Sequence, residues 1–232
     1  MKNYRIEAVL IAIGLIVLGL LVRSGLSVFA DKERVVVVKG LAEMQVPADK
    51  VTWPIVFKDA GDDLSALYER AGGTTQTILE FLKTNGVEDS EISINPPEVV
   101  DNAAERYTND AKFRYNLSAV LIVTSPRVDA IRALIGRQGE LVRKGIVISG
   151  DDFRARPVFE YTQLNSIKPE MIEAATRNAR EAAQKFAKDS SSELGKIKTA
   201  SQGQFSIDDR DANTPYIKNV RVVSTVSYFL KN

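Results

Sequence analysis

The sequence predicts an α+β fold, a mostly antiparallel sheet with three helices, preceded by one N-terminal apolar helix. Two observations carry this expectation. Segments with period-2 apolar alternation come in hairpin-like pairs around single segments of helical period, in the order β-β-α-β-β-α-β-β-α-β-β. A doubly wound parallel sheet would need strands and helices to alternate singly. In addition, no Pro-rich or low-complexity linker interrupts residues 31–232, which therefore read as one folded body after a separate segment at 1–30. A body of about 200 residues buries roughly 70% of its chain surface, enough for a core.

The N-terminal segment comes first. Residues 8–22 (AVLIAIGLIVLGLLV) are an unbroken apolar run bounded by Glu7 and Arg23, with Lys2 and Arg5 ahead of it. As a helix this run covers about 22 Å, short of the ~30 Å hydrocarbon core, and Leu26, Val28 and Phe29 extend it if Arg23 snorkels. The expectation is an uncleaved single-pass anchor in the cell membrane, with the body on the exported, periplasmic side. The alternative is a signal peptide cleaved after Val28-Phe29-Ala30, which leaves a periplasmic form. Flanking charges do not choose an orientation, because Lys2 and Arg5 stand against Arg23, Lys32 and Arg34.

In the body, strands are expected at 34–46 and 51–59, joined by the turn Pro47-Ala48-Asp49-Lys50. In the second, Val51, Trp53, Ile55 and Phe57 share one face, and Pro54 on the other removes a ladder donor, which suggests an edge strand or a bulge. A helix over 62–84 has Asp62 and Asp63 at its positive end and Asn85-Gly86 as its stop. Its inward stripe is Leu64, Leu67, Tyr68, Ala71, Ile78 and Leu82. Strands follow at 91–100 and 112–124, the latter alternating Phe113, Tyr115, Leu117, Ala119, Leu121 and Val123 with Arg114, Asn116 and Ser118. Ser125-Pro126 announces a second helix to about 143, with Val128, Ile131, Ile135 and Val142 inward. Short strands near 146–149 and 154–163 precede a third helix at 169–194. Pro169 suits its first turn, Gly195 its C′ position, and Met171, Ala175, Ala179, Ala182 and Phe186 its inward face, a small-residue face that predicts close packing on a sheet. Strands at 196–204 and 219–231 close the chain around a loop-like tract at 206–218.

Composition removes most catalytic kits. There is no Cys and no His, so thiol nucleophiles, Ser-His and Cys-His triads, disulfides, Cys/His zinc sites and imidazole or thiolate haem ligation are excluded. With 31 Lys+Arg against 30 Asp+Glu there is no basic excess for electrostatic nucleic-acid binding.

The strand Val35-Val36-Val37-Val38-Lys39-Gly40-Leu41-Ala42-Glu43, the Pro47-Ala48-Asp49-Lys50 turn, the helix core Thr176-Arg177-Asn178-Ala179-Arg180-Glu181-Ala182-Ala183 and the closing strand 218–229 resemble the SIMPL-domain family. The resemblance covers most of 34–231. It implies an envelope or periplasmic protein with relatives linked to oxidative-stress defence, and it carries over no catalytic residue.

Several tracts invite a chemical reading. Asp209, Asp211 and Asn213 imitate the first, third and fifth positions of a calcium loop, but Thr214 replaces its Gly and Val220 its bidentate Glu, so a turn-forming surface loop is expected. Arg127, Arg132, Arg137, Arg143 and Lys144 give the second helix a basic bias, read as a solvated face ahead of an anionic-headgroup or partner surface. Gly136 and Gly139 lack the rest of a phosphate loop. Glu160, Glu170 and Glu173 are the carboxylates available for acid/base work. Arg154 and Arg156 beside Phe159 and Tyr161 read as the two faces of a strand, and Trp53 reads as core. No catalytic, cofactor-binding or metal-ligating residue is assigned.

The functional expectation is a non-enzymatic SIMPL-domain protein of the cell envelope, anchored through residues 8–22, acting by protein–protein contact and self-assembly as a homo-oligomer. Long Val-rich strands need their edges covered, and a second copy covers them. An envelope small-ligand-binding protein or a carboxylate-based enzyme is the alternative.

Overall fold

The computed structural model describes residues 4–31, 34–104, 112–150 and 155–231. Its element order is α1 (Tyr4–Asp31), β1 (Val35–Pro47), β2 (Lys50–Gly61), α2 (Leu64–Thr84), β3 (Ile92–Ile94), β4 (Glu98–Asp101), β5 (Tyr115–Ser125), α3 (Val128–Gly136), α4 (Gly139–Arg143), β6 (Val158–Glu160), α5 (Leu164–Asp189), β7 (Glu193–Gln202), β8 (Ser206–Asp209) and β9 (Ile217–Lys231). The chain is α+β with antiparallel sheets, as the hairpin-like pairing predicts. Within α1, Ala8–Gly25 is long and apolar enough to cross a membrane, and none of that stretch is buried against the rest of the protein.

The chain divides into two compact units. The first comprises Met1–Met44, Asn165–Ile207 and Val220–Asn232, the second Gln45–Leu164 and Asp208–Asn219. The chain passes between them inside β1, β8 and β9 and at the start of α5.

In the second unit the strand order is β3-β5-β2-β6, with β4 also on β5. The β2–β5 ladder sets Trp53 opposite Val123, Ile55 opposite Leu121 and Phe57 opposite Ala119. Because side chains alternate along a strand, these six and Val51 and Leu117 lie on one face, and all are buried. On that face pack Leu67, Ala71, Ile78, Phe81 and Leu82 of α2, Val128, Ile131 and Leu134 of α3, and Leu141 of α4. Asp63 caps α2, its carboxylate accepting the N–H of Ser65 at 2.9 Å and of Ala66 at 3.1 Å. At the other end the Asn85 amide donates to the Phe81 carbonyl at 2.7 Å, and Gly86 takes φ +81°. The sequence-predicted stripe holds for Leu67, Ala71, Ile78 and Leu82, whereas Leu64 and Tyr68 are exposed and Phe81 takes an inward place.

β2 lies between β5 and β6 in the strand order, yet at Pro54 its outer side is an edge, as expected. Pro54 is accommodated because β6 reaches only Lys50–Thr52 of β2, so no ladder donor is demanded of Pro54 on that side. Other expectations change here. The strand expected at 91–100 is split into β3 and β4 around Pro96-Pro97. The second helix is broken in two at Arg137-Gln138, which rephases its inward face. Leu134 and Leu141 are buried, Ile135 is half-buried and Val142 is exposed. Ser125 does not cap it as N-cap residue, since that position is Arg127, but its hydroxyl accepts the Arg127 N–H at 3.0 Å. Near 146–149 there is only a bridge between Phe57 and Ile148.

In the first unit the order is β1-β9-β7, with β8 on β9. Val220, Val222, Val226 and Tyr228 of β9 are buried. The inward face of α5 is Met171, Ala175, Ala179, Ala183 and Ala187, in strict steps of four. Phe186, expected inward, is 59% exposed, and Ala182 is half-buried. Alanine brings the helix close to the sheet, and Gly40 of β1 brings it closer. A Cβ on Gly40 would stand 1.8 Å from the Ala175 carbonyl oxygen and 2.5 Å from the Ala179 nitrogen. At this separation the Asn178 amide reaches the Leu41 carbonyl at 2.7 Å. α5 starts earlier than expected and contains Pro169 within it. Its end uses Ser191 at φ 54°, while Gly195 lies in β7, where a Cβ would stand 2.8 Å from the Phe229 carbonyl oxygen.

Candidate functional site

The acidic tract at 208–214 is built as a self-closed loop. The Asp211 carboxylate accepts the Thr214 hydroxyl, Arg210 Nε at 3.1 Å, and the N–H groups of Asn213 and Thr214, both at 2.9 Å. These bonds, led by the Thr214 hydroxyl and the Arg210 guanidinium, hold its carboxyl down at about 2. Asp209 turns instead to the Lys218 ammonium. The oxygens that imitate a calcium loop in sequence are thus spent on different partners, and the described residues contain no cluster of three or more carboxylates arranged for a cation.

Immediately after this loop, the Tyr216 ring carries the Arg132 guanidinium 3.3 Å from its centroid and meets Phe159 edge-on at 6.2 Å. Arg132 also pairs with Asp129 at 3.0 Å. An open cavity of about 800 Å³ lies beside them, walled by Ile135, Pro157 and Pro215. Tyr216 stands in a tract that reads as loop, and its role was not visible in the sequence. The only signal is an aromatic residue directly after a turn proline.

The basic bias of the second helix is largely neutralised. Arg127 pairs with Glu91, Arg132 with Asp129, and Arg137 with Glu140 at 2.8 Å. Glu91 is held from several sides. It accepts the Ser125 hydroxyl at 2.6 Å and Arg127 Nε at 3.3 Å, and Arg127 also donates to the Gly86 carbonyl at 2.9 Å. Burial by itself would raise the Glu91 carboxyl, but the Arg127 and Ser125 hydrogen bonds outweigh it and leave the group below its ordinary range. Glu160 is taken by Lys50 at 2.8 Å, and Glu170 and Glu173 are exposed on α5. Arg154 lies outside the described residues. Arg156 is exposed, Phe159 buried and Tyr161 half-buried, and Trp53 is buried in the core. Gly136 closes α3 and Gly139 opens α4.

Among the described residues, β1 offers a long unpaired strand edge. β1 ends the order β1-β9-β7, so its outer row of N–H and C=O groups faces no strand among the described residues. Val38, Gly40 and Ala42 point to the buried side, while Val37, Lys39, Leu41 and Glu43 point outward. Val37 is 62% exposed, and Glu43 pairs with Arg221 of β9 at 3.4 Å. Such an edge can accept another strand by main-chain hydrogen bonding. Its pattern is self-complementary: an antiparallel pairing with a second β1 about Leu41 sets Lys39 of each copy opposite Glu43 of the other.

No curated protein matches the chain. The family model described as SIMPL, protein of unknown function (DUF541), matches residues 36–228 and so spans both units from β1 to β9. The chain belongs to the SIMPL family.

Proposed function

We propose that this chain is a membrane-anchored protein of the cell envelope that works without catalysis, by self-assembly through β1. Its body stands on the exported side and α1 crosses the membrane once. The observation that carries the reading is the free outer edge of β1, with Val37 and Leu41 exposed and Lys39 and Glu43 spaced to meet their counterparts in a second copy. A part in envelope stress defence is an expectation supplied by the family resemblance.

The test is a native mass measurement of the full chain in detergent at micromolar concentration. Oligomers are expected for the wild type. Lys39→Glu, which sets Glu against Glu across the pairing, shifts the population to monomer, and Lys39→Glu with Glu43→Lys restores the oligomer. A monomeric wild type, or a charge reversal without effect, overturns assembly through this edge. Protease access to the body in intact spheroplasts checks the export.

A further inference from the structure

The arginines of this chain differ in company, and Arg221 of the first unit, like several of the second, is paired with a carboxylate, that of Glu43. In the second unit Arg70, Arg114, Arg127, Arg132, Arg137 and Arg210 each stand within ion-pair distance of a carboxylate. On α5, Arg177 and Arg180 have no such partner among the described residues, although both are exposed and one turn apart. They line a cavity of about 420 Å³ together with Glu173, Thr176, Ile197 and Tyr228. Positions 173, 176, 177 and 180 share one helix face, so the cavity is a groove between that face and the β7–β9 ladder, in which Ile197 is opposite Tyr228.

Tyr228 is the unusual member. It is 1% exposed, and its hydroxyl is shut from solvent with no hydrogen-bond partner. Buried hydroxyls are nearly always satisfied, and one that is not asks for an oxygen acceptor. Guanidinium groups match the oxygens of phosphate and carboxylate in two-point geometry. We propose that this groove binds an oxyanion, a phosphate or carboxylate group, held by Arg177 and Arg180, with the Thr176 hydroxyl and, once the entering ligand uncovers it, the Tyr228 hydroxyl as further donors. Neither arginine is tied to a carboxylate, so both can swing over the ligand as it reaches the hydroxyl. Ile197 supplies an apolar wall for the organic body that bears the charge. Glu173 opposes the anion from the same wall and keeps the binding weak. The site goes beyond the assembly reading and uses none of the β1 edge.

The experiment uses the full chain in neutral detergent, titrated with inorganic phosphate and, separately, with short-chain phosphatidic acid, against sodium chloride at matched ionic strength. Thermal unfolding and the phosphorus NMR line width are read. A saturable rise in Tm with phosphate or phosphatidic acid, absent with chloride, is expected. Arg177→Gln with Arg180→Gln weakens it at least tenfold. Tyr228→Phe weakens it several-fold while leaving the ligand-free Tm unchanged or higher, which loss of a merely structural contact would not do. Glu173→Gln tightens it. A stronger response to phosphatidic acid assigns a lipid headgroup, and a stronger response to inorganic phosphate assigns a soluble anion; either supports the site. No saturable response to either, or one that survives the double arginine substitution, overturns it. Lys39→Glu run alongside separates the two proposals, because it disturbs assembly and leaves anion binding intact.

Discussion

In the second unit β2 and β5 meet α2, α3 and α4 through large side chains, with Trp53, Ile55, Phe57, Phe81, Leu117 and Leu121 all buried in one cluster. In the first unit β1 and β9 meet α5 through Val38, Ala179, Ala183, Val226 and Tyr228, with Gly40 pressed against the helix backbone. Both are sheets with helices on one face, yet the means of cohesion differ. The second unit removes much apolar area from water per residue, at roughly 25 cal/mol per Å². The first gains from close approach, many short dispersion contacts between backbone and methyl groups, where each contact is small and the geometry has no slack. The second unit should therefore suffer most from truncation and the first from enlargement.

The largest effect tests the truncation half. Trp53→Ala is expected to cost about 4 kcal/mol, the range for removing a buried ring whose cavity cannot collapse. Urea unfolding followed by far-UV circular dichroism measures it, since Trp53 is the only tryptophan and its own fluorescence disappears with it. A cost under about 1 kcal/mol would mean that the site relaxes and that the large-residue core is loosely packed.

The enlargement half is tested by one methyl group. On an ordinary strand Gly→Ala is neutral or stabilising, by roughly 0.5–1 kcal/mol. At Gly40 it should instead destabilise by about 3 kcal/mol, at the upper end for overpacking, because the atoms in the way are backbone of α5 and cannot rotate aside. Removing the Ala179 methyl by Ala179→Gly in the same chain should not rescue it, because the 1.8 Å approach is to the Ala175 carbonyl oxygen. A stabilising Gly40→Ala would dissolve the contrast between the units.

The same contrast explains what the sequence discloses. Period-2 alternation in β2 and β5 is legible because each strand has one dry face, and Val51, Trp53, Ile55 and Phe57 mark it without reference to a partner. The inward face of α5 is legible up to Ala179 and then misread, because a large hydrophobe such as Phe186 draws the stripe toward itself. The structure excludes it for a steric reason, since a ring cannot enter a helix–sheet gap sized for alanine, and Ala183 and Ala187 continue the steps of four. The start of α5 is illegible for a different reason. The N–H groups of Thr162 and Gln163 just ahead of it are accepted by the carboxylate of Asp49, more than a hundred residues earlier, at 2.8 and 3.1 Å. Local capping rules look only at neighbours. The candidate sites follow suit: the positions of Arg177 and Arg180 on one helix face are readable, but that Tyr228 lies against them with an unsatisfied hydroxyl depends on the β7–β9 ladder.

A polar contact sharpens the comparison at its smallest scale. Glu91 ties the one-turn helix at Asp89–Glu91 to Ser125 at the end of β5 and to Arg127 at the start of α3. Glu91→Gln keeps the shape and removes the charge, and about 2 kcal/mol should be lost at pH 7. The nearly buried Ser125 hydroxyl carries most of this, because Arg127 is half exposed and its attraction is screened by water. The sign with pH follows from the lowered carboxyl of Glu91. Its contribution is complete above the ordinary glutamate range near 4.5 and is lost as the pH falls through the lower folded-state value. Urea midpoints of wild type and Glu91→Gln should therefore differ at pH 7 and converge as the pH falls below the ordinary glutamate range. A gap that stays constant would assign the loss to geometry, not charge. No such convergence is expected for Gly40→Ala, whose clash is independent of protonation, so one pH series on the two variants separates the electrostatic joint of the second unit from the steric joint of the first.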